Sequence, residues 1–77
     1  MTESQRRTLQ CLLDATKKLP PQERLEAILV SARTHLSLYQ QENDEEGVAI
    51  YSPLVDLIQS SQSVSELLER AKNEQRD

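Results

Sequence analysis

The chain has no tryptophan and no phenylalanine, and only one cysteine, one glycine and one histidine among its 77 residues. Each shortage closes a route. A single thiol excludes an intramolecular disulfide, and Cys11 with the lone His35 falls short of the four ligands that a structural zinc site requires. One glycine excludes a glycine-rich phosphate loop, and neither a nucleophile elbow nor a metal-spaced histidine pair is present. With Tyr39 and Tyr51 as the sole aromatic residues, Leu, Ile, Val and Ala must fill any core, an inventory that suits helices packed on helices. No segment approaches the ~20 continuous apolar residues of a membrane-spanning helix, and polar Thr2, Glu3, Ser4 and Gln5 stand where a signal peptide would need an apolar run. A cytoplasmic chain is expected.

Residues 1–77 have room for one domain, and a core of that size seldom supplies more than roughly 3–5 kcal/mol without a metal, disulfides or a partner. Metal and disulfide being unsupported, oligomerisation is the remaining device. The formal charge of −4 argues against binding nucleic acid or an anionic membrane surface. The charge is uneven, however. Arg6, Arg7, Lys17 and Lys18 outweigh Glu3 and Asp14 in the first segment, whereas Asp44, Glu45 and Glu46 are consecutive. Such asymmetry can steer head-to-tail contacts, although a solvated mixed-charge surface is the simpler reading.

Four helical stretches follow from the pattern. Thr2 with Gln5 makes a capping box opening a helix over about 3–18, whose Leu9, Leu12, Leu13 and Thr16 share a face with Leu19 at its edge. Pro20 ends it, and Pro21 suits the first turn of a second helix reaching about residue 42. Its main stripe is Leu25, Ile28, Leu29, Ala32, Leu36 and Tyr39, and a second, weaker stripe of Ala27, Val30, Thr34 and Leu38 lies on the far side. The first stripe reads as core; the second is covered either by the C-terminal segments or by another copy of the chain.

Asn43 to Gly47 reads as a loop, and Val48 to Tyr51 as an extended or first-turn segment. Ser52 and Pro53 then signal a helix start, with Leu54, Leu57 and Ile58 on one face and Val55 beside it. That helix fades over Gln59 to Gln62. Ser63 with Glu66 forms a further capping box before a last helix over about 64–73, with Val64, Leu67, Leu68 and Ala71 as its stripe and residues 74–77 as a frayed tail.

Candidate chemistry is sparse. His35 has no orienting carboxylate at helical spacing, so a half-buried, non-catalytic role is expected. Cys11 reads as a packing residue or a semi-exposed thiol. Asp44, Glu45 and Glu46 lack the alternating ligands of a calcium loop. The stretch Leu19, Pro20, Pro21, Gln22, Glu23 and Arg24 resembles the entry to the DNA-binding region of bacterial sigma factors, which would imply a following helix-turn-helix with a basic second helix. An unbroken helix and an acidic loop follow here instead, and the four basic residues of the first segment do not share one face.

These readings converge on an all-α fold, a compact three- or four-helix bundle built on an N-terminal antiparallel helical hairpin. The expected function is that of a small cytoplasmic protein–protein interaction module or regulatory adaptor, non-catalytic and dimerising, with Val30, Thr34, Leu38 and Tyr51 as its contact residues. The alternative is an acidic inhibitor or immunity-type protein that neutralises a basic toxin or nucleic-acid-binding protein with Asp44, Glu45 and Glu46. No cofactor, metal, nucleic acid, membrane or small-molecule substrate is inferred.

Overall fold

A computed structural model of the chain describes residues 1–74, and helices account for most of them: α1 (Glu3–Ala15), α2 (Pro21–Gln41), α3 (Glu45–Gln59) and α4 (Val64–Glu74). The all-α bundle expected from the periodicity is the fold. The most extensive pairing is between α2 and α3; α1 lies on α3 and more sparingly on α2, and α4 closes against both α3 and α2. The tail expected over 74–77 falls outside the described residues from 75 onward, and Glu74 still belongs to α4.

The helix termini show why the elements begin and end where they do. The Thr2 hydroxyl accepts the Gln5 backbone N–H at 3.1 Å while Gln5 Oε1 accepts the Thr2 N–H at 2.9 Å, completing the reciprocal capping box. Helix α1 stops at Ala15, three residues short of the expected Lys18. Its last carbonyls are taken from outside the helix: the Thr16 hydroxyl donates to Leu12 O at 2.9 Å, and the Arg24 guanidinium reaches back from α2 to Leu13 O at 2.9 Å. Once those acceptors are satisfied, the chain turns toward Pro20 with little cost. Helix α2 then runs unbroken for 21 residues from Pro21, so no helix-turn-helix follows the Leu19–Arg24 stretch.

The expected loop over Asn43–Gly47 and the expected helix start at Ser52 are both corrected. Asn43 takes the left-handed conformation, φ 56°, and the N–H groups of Asn43 and Asp44 return to Gln40 O and Tyr39 O at 3.2 and 2.9 Å. This is a Schellman closure, and Asn tolerates the backbone angle it demands. Asp44 next caps α3, its Oδ1 accepting the Gly47 N–H at 3.1 Å. Glu45 and Glu46 therefore begin a helix, where their charges favour its positive end while the side chains stay exposed in water. Val48–Tyr51 is helical, and Pro53 lies inside α3 instead of at its first position.

Pro53 is tolerated there for a specific reason. Its missing N–H strips a partner from the Ala49 carbonyl four residues earlier. Gln5 Nε2, from α1, donates to that same oxygen at 3.1 Å. Gly47 likewise owes its place to packing, because a Cβ built on it would overlap the Tyr39 ring. Farther on, Ser60 and Ser61 hydroxyls donate to Asp56 O and Leu57 O at 2.9 and 2.8 Å and terminate α3. The Ser63 hydroxyl accepts the Glu66 N–H at 3.1 Å, but Glu66 Oε2 takes the Gln62 N–H at 2.7 Å, so the second box closes one residue earlier than expected.

The core is aliphatic. Ile28, Leu54, Ile58 and Leu67 are its largest fully buried side chains, joined by Leu9, Leu12 and Leu13 from α1 and Ala32 and Ala71 at the close helix contacts. Each large aliphatic side chain so buried contributes about 1.5–3 kcal/mol. These residues come from the apolar stripes; Leu25, Leu29, Leu36 and Val64 of the same stripes are partly buried against them, and Leu19 and Leu68 are exposed.

Candidate functional site

Two apolar surfaces are left open once the core has formed. The first is the outward face of α2. Val30 is 56% exposed and Leu38 is 49% exposed, and both lie on the side opposite buried Ile28 and Ala32. Thr34 sits between them, its hydroxyl already donating to Val30 O at 2.8 Å, so the methyl is what the residue offers a partner. Ala27 extends the face by one turn toward the N-terminus. Three of the four sequence-predicted contact residues, Val30, Thr34 and Leu38, are thus brought together on one accessible strip, and no described part of the chain covers Val30 or Leu38.

Tyr51 is placed elsewhere. Its ring stacks on His35, with centroids 5.1 Å apart and planes 5° from parallel, and on Tyr39 at 5.6 Å. These partners lie on the α3-facing side of α2, away from Val30. Burial against them pushes the Tyr51 phenol above its ordinary pKa, with smaller contributions from Tyr39 and Cys11, whose anions would oppose a third negative charge nearby. His35 is fixed from behind: its Nδ1 is 2.7 Å from Ser31 O. Since that carbonyl can only accept, Nδ1 carries the proton. His35 is therefore a half-buried stacking residue, and Cys11 is exposed.

The acidic run is split by the fold. Asp44 is spent on the α3 cap, while Glu45 and Glu46 project into solvent from the first turn. What remains is a pair of helical carboxylates, a smaller surface than the three-residue loop implied.

The second open surface is one that the helical stripes do not announce. A groove of about 490 Å³ is lined by residues of α1 and α4: buried Leu9, Leu13 and Ala71, exposed Leu68, and the polar side chains of Arg6, Gln10, Ser65, Glu69 and Lys72. The start of α1 meets the end of α4, where the Met1 ammonium donates to Glu74 O at 3.3 Å. Arg6, Glu69 and Lys72 are the charged residues of the groove's lining, and Arg6 already has Glu3 Oε1 3.9 Å away. Leu68 is 45% exposed within it. One signal for this was present in the sequence: Leu67 and Leu68 are consecutive, and a helix turns by about 100° per residue, so both cannot point into one core.

Among the described residues, no helix is long and apolar enough to cross a membrane, and no cluster of His, Cys, Asp or Glu is arranged to hold a metal ion. No protein-family model matches the chain, and neither a curated protein nor a solved structure is detectably similar to it.

Proposed function

We propose that this protein is a small, non-catalytic helical interaction module or adaptor, and that the outward face of α2 is its adhesive surface, used first of all to bind a second copy of the chain. The observation that supports the reading is the exposure of Val30 at 56% and Leu38 at 49% on one helix face. Single exposed aliphatic residues are ordinary on soluble proteins, but two of them, linked by a threonine with a self-satisfied hydroxyl and aligned on one strip, make a contact surface. Helices dock on such i, i+4, i+8 ridges by burying them against a partner's groove or ridge.

The double variant Val30→Asp with Leu38→Asp tests this. It is expected to retain wild-type helicity by circular dichroism while its mass by light scattering falls to that of one chain. Loss of helicity would place these residues in the fold's own core, and an unchanged mass would show that association, if any, uses another surface.

A further inference from the structure

The adhesive strip of α2 is framed by acid at both ends. Glu26, Val30, Thr34, Leu38 and Glu42 follow one another at intervals of four residues, so they form a single inclined ridge on the outward face of the helix. All five are exposed, and Glu42, the residue that ends α2, still has near-helical angles, φ −85° and ψ −2°. The ridge therefore reads acid, aliphatic, threonine, aliphatic, acid, with its two carboxylates about 24 Å apart along the axis. Exposed Glu23 adds a further carboxylate at the N-terminal end. None of these acids is ion-paired: among the described residues the ion pairs are those of Arg6 and Arg7 with Glu3. Arg33 is the one exposed base of α2, and it stands beside the middle of the ridge, three residues after Val30.

A second copy covers the aliphatic part of this ridge but not its ends. In an antiparallel pair centred on Thr34, Val30 of one copy meets Leu38 of the other, yet Glu26 then faces Glu42 at each end, like charge against like. A helix with the same aliphatic spacing and a lysine or arginine at either end satisfies all of it. Long basic side chains lay their stems along apolar surface and carry the charge to the rim, where Glu26 and Glu42 stand. We infer that the preferred partner of the α2 face is a basic amphipathic helix, whose aliphatic i, i+4 ridge is closed at both ends by Lys or Arg. It covers Val30 and Leu38 and supplies the cations that Glu26 and Glu42 lack. Arg33 keeps further positive charge away from the middle, so the partner's bases belong at the ends of its ridge. The second copy, carrying the like-charge repulsion, is the weaker occupant and yields to the basic helix.

This inference rests on the α2 face being adhesive, and titrating the full chain with a pair of synthetic peptides separates the two. One peptide is an alanine- and glutamine-based helix with leucines at i, i+4 and i+8 and lysines at both ends; its twin carries glutamates in place of the lysines. By fluorescence anisotropy at low salt, the lysine peptide is expected to bind about tenfold or more tightly than its twin. Glu26→Gln with Glu42→Gln should weaken it about tenfold, and so should high salt. Glu45→Gln with Glu46→Gln, exposed acids off the ridge, should leave binding unchanged. Val30→Ser with Leu38→Ser should abolish it while circular dichroism shows the helices intact. Equal binding of the two peptides, no binding of either, or a loss no larger for the Glu26 and Glu42 pair than for the Glu45 and Glu46 pair would overturn the inference. If both peptides bind equally and both are lost with the double serine variant, the α2 face stays adhesive and only the basic partner falls. Binding of the lysine peptide untouched by that variant would overturn both. A wild type that is monomeric alone but binds the lysine peptide as expected would remove the second copy and leave the basic helix in place.

Discussion

Gln5 Nε2 donates a 3.1 Å hydrogen bond to the carbonyl of Ala49, the acceptor that Pro53 leaves without a helical partner. One side chain thus serves two helices, since its Oε1 also closes the capping box of α1. Gln5→Glu isolates the second duty. Glutamate keeps the acceptor for the Thr2 N–H and suits a helix N-terminus, yet it loses the donor and sets a carboxylate against a carbonyl. A destabilisation of about 1 kcal/mol is expected in urea unfolding. In a Pro53→Ala background, where the alanine supplies its own backbone N–H to that carbonyl, the loss should shrink. Equal losses in both backgrounds would show that the two residues act independently.

Gly47 and Tyr39 form a second coupled pair. On helix propensity alone, Gly47→Ala inside α3 would stabilise by roughly 0.5–1 kcal/mol. The overlap of the new Cβ with the Tyr39 ring reverses the sign. We expect a net destabilisation of about 1–3 kcal/mol, the usual cost of overpacking. Combining it with Tyr39→Leu should recover part of that loss in thermal melts, and a more stable single variant would refute the steric account.

Leu67 and Leu68 are neighbours with opposite fates, 0% and 45% exposed. Leu67→Ala leaves a cavity in the centre of the bundle and should cost about 2–5 kcal/mol, enough to threaten a domain this small. Leu68→Ala should change the stability of the isolated chain by no more than about 0.5 kcal/mol. Chemical denaturation of the two at a concentration where the chain is monomeric decides it; comparable losses would mean that the α1–α4 groove closes in solution.

Tyr51 gives the fold an alkaline limit. Its phenol is held above the ordinary value chiefly by burial, so the folded state keeps this proton more tightly than the unfolded chain does. Below the ordinary phenol pKa the contribution is fully present; as pH rises through that value toward the folded one, the unfolded state is favoured by ionising first, and stability falls. Tyr51→Phe should remove this part of the decline. Melting temperatures compared from neutral to alkaline pH test it, and superimposable profiles for the two proteins would show that Tyr51 plays no part.

Much of the fold can be read from local pattern. The Thr2 and Gln5 box, the proline opening of α2 and the stripes that bury Ile28, Ala32, Leu54, Ile58 and Leu67 depend on residues a turn or two apart, and local rules describe them well. The start of α3 is different. A serine followed by a proline looks the same whether the proline opens a helix or sits within one, and what decides is Gln5, 44 residues from Ala49. Gly47 misleads for a similar reason: it resembles a loop residue, but the demand for a small side chain comes from a ring on another helix. Moving the start of α3 from Pro53 back to Glu45 adds about two turns, and this carries Tyr51 onto the α2 seam. Of the candidate contact surface, the Val30, Thr34 and Leu38 strip was legible from periodicity, whereas the groove lined by α1 and α4 depends on the placement of two helices far apart in the sequence.

The aromatic rings are confined to one place. With no tryptophan or phenylalanine in the chain, Tyr39 and Tyr51, stacked on each other and on His35, are its only near-ultraviolet chromophores of any strength. Near-ultraviolet dichroism and intrinsic fluorescence therefore report on the α2–α3 seam alone. Detachment of α4 would be optically silent at those wavelengths, and a probe that follows the backbone, such as amide exchange, is needed to see the bundle loosen from that side.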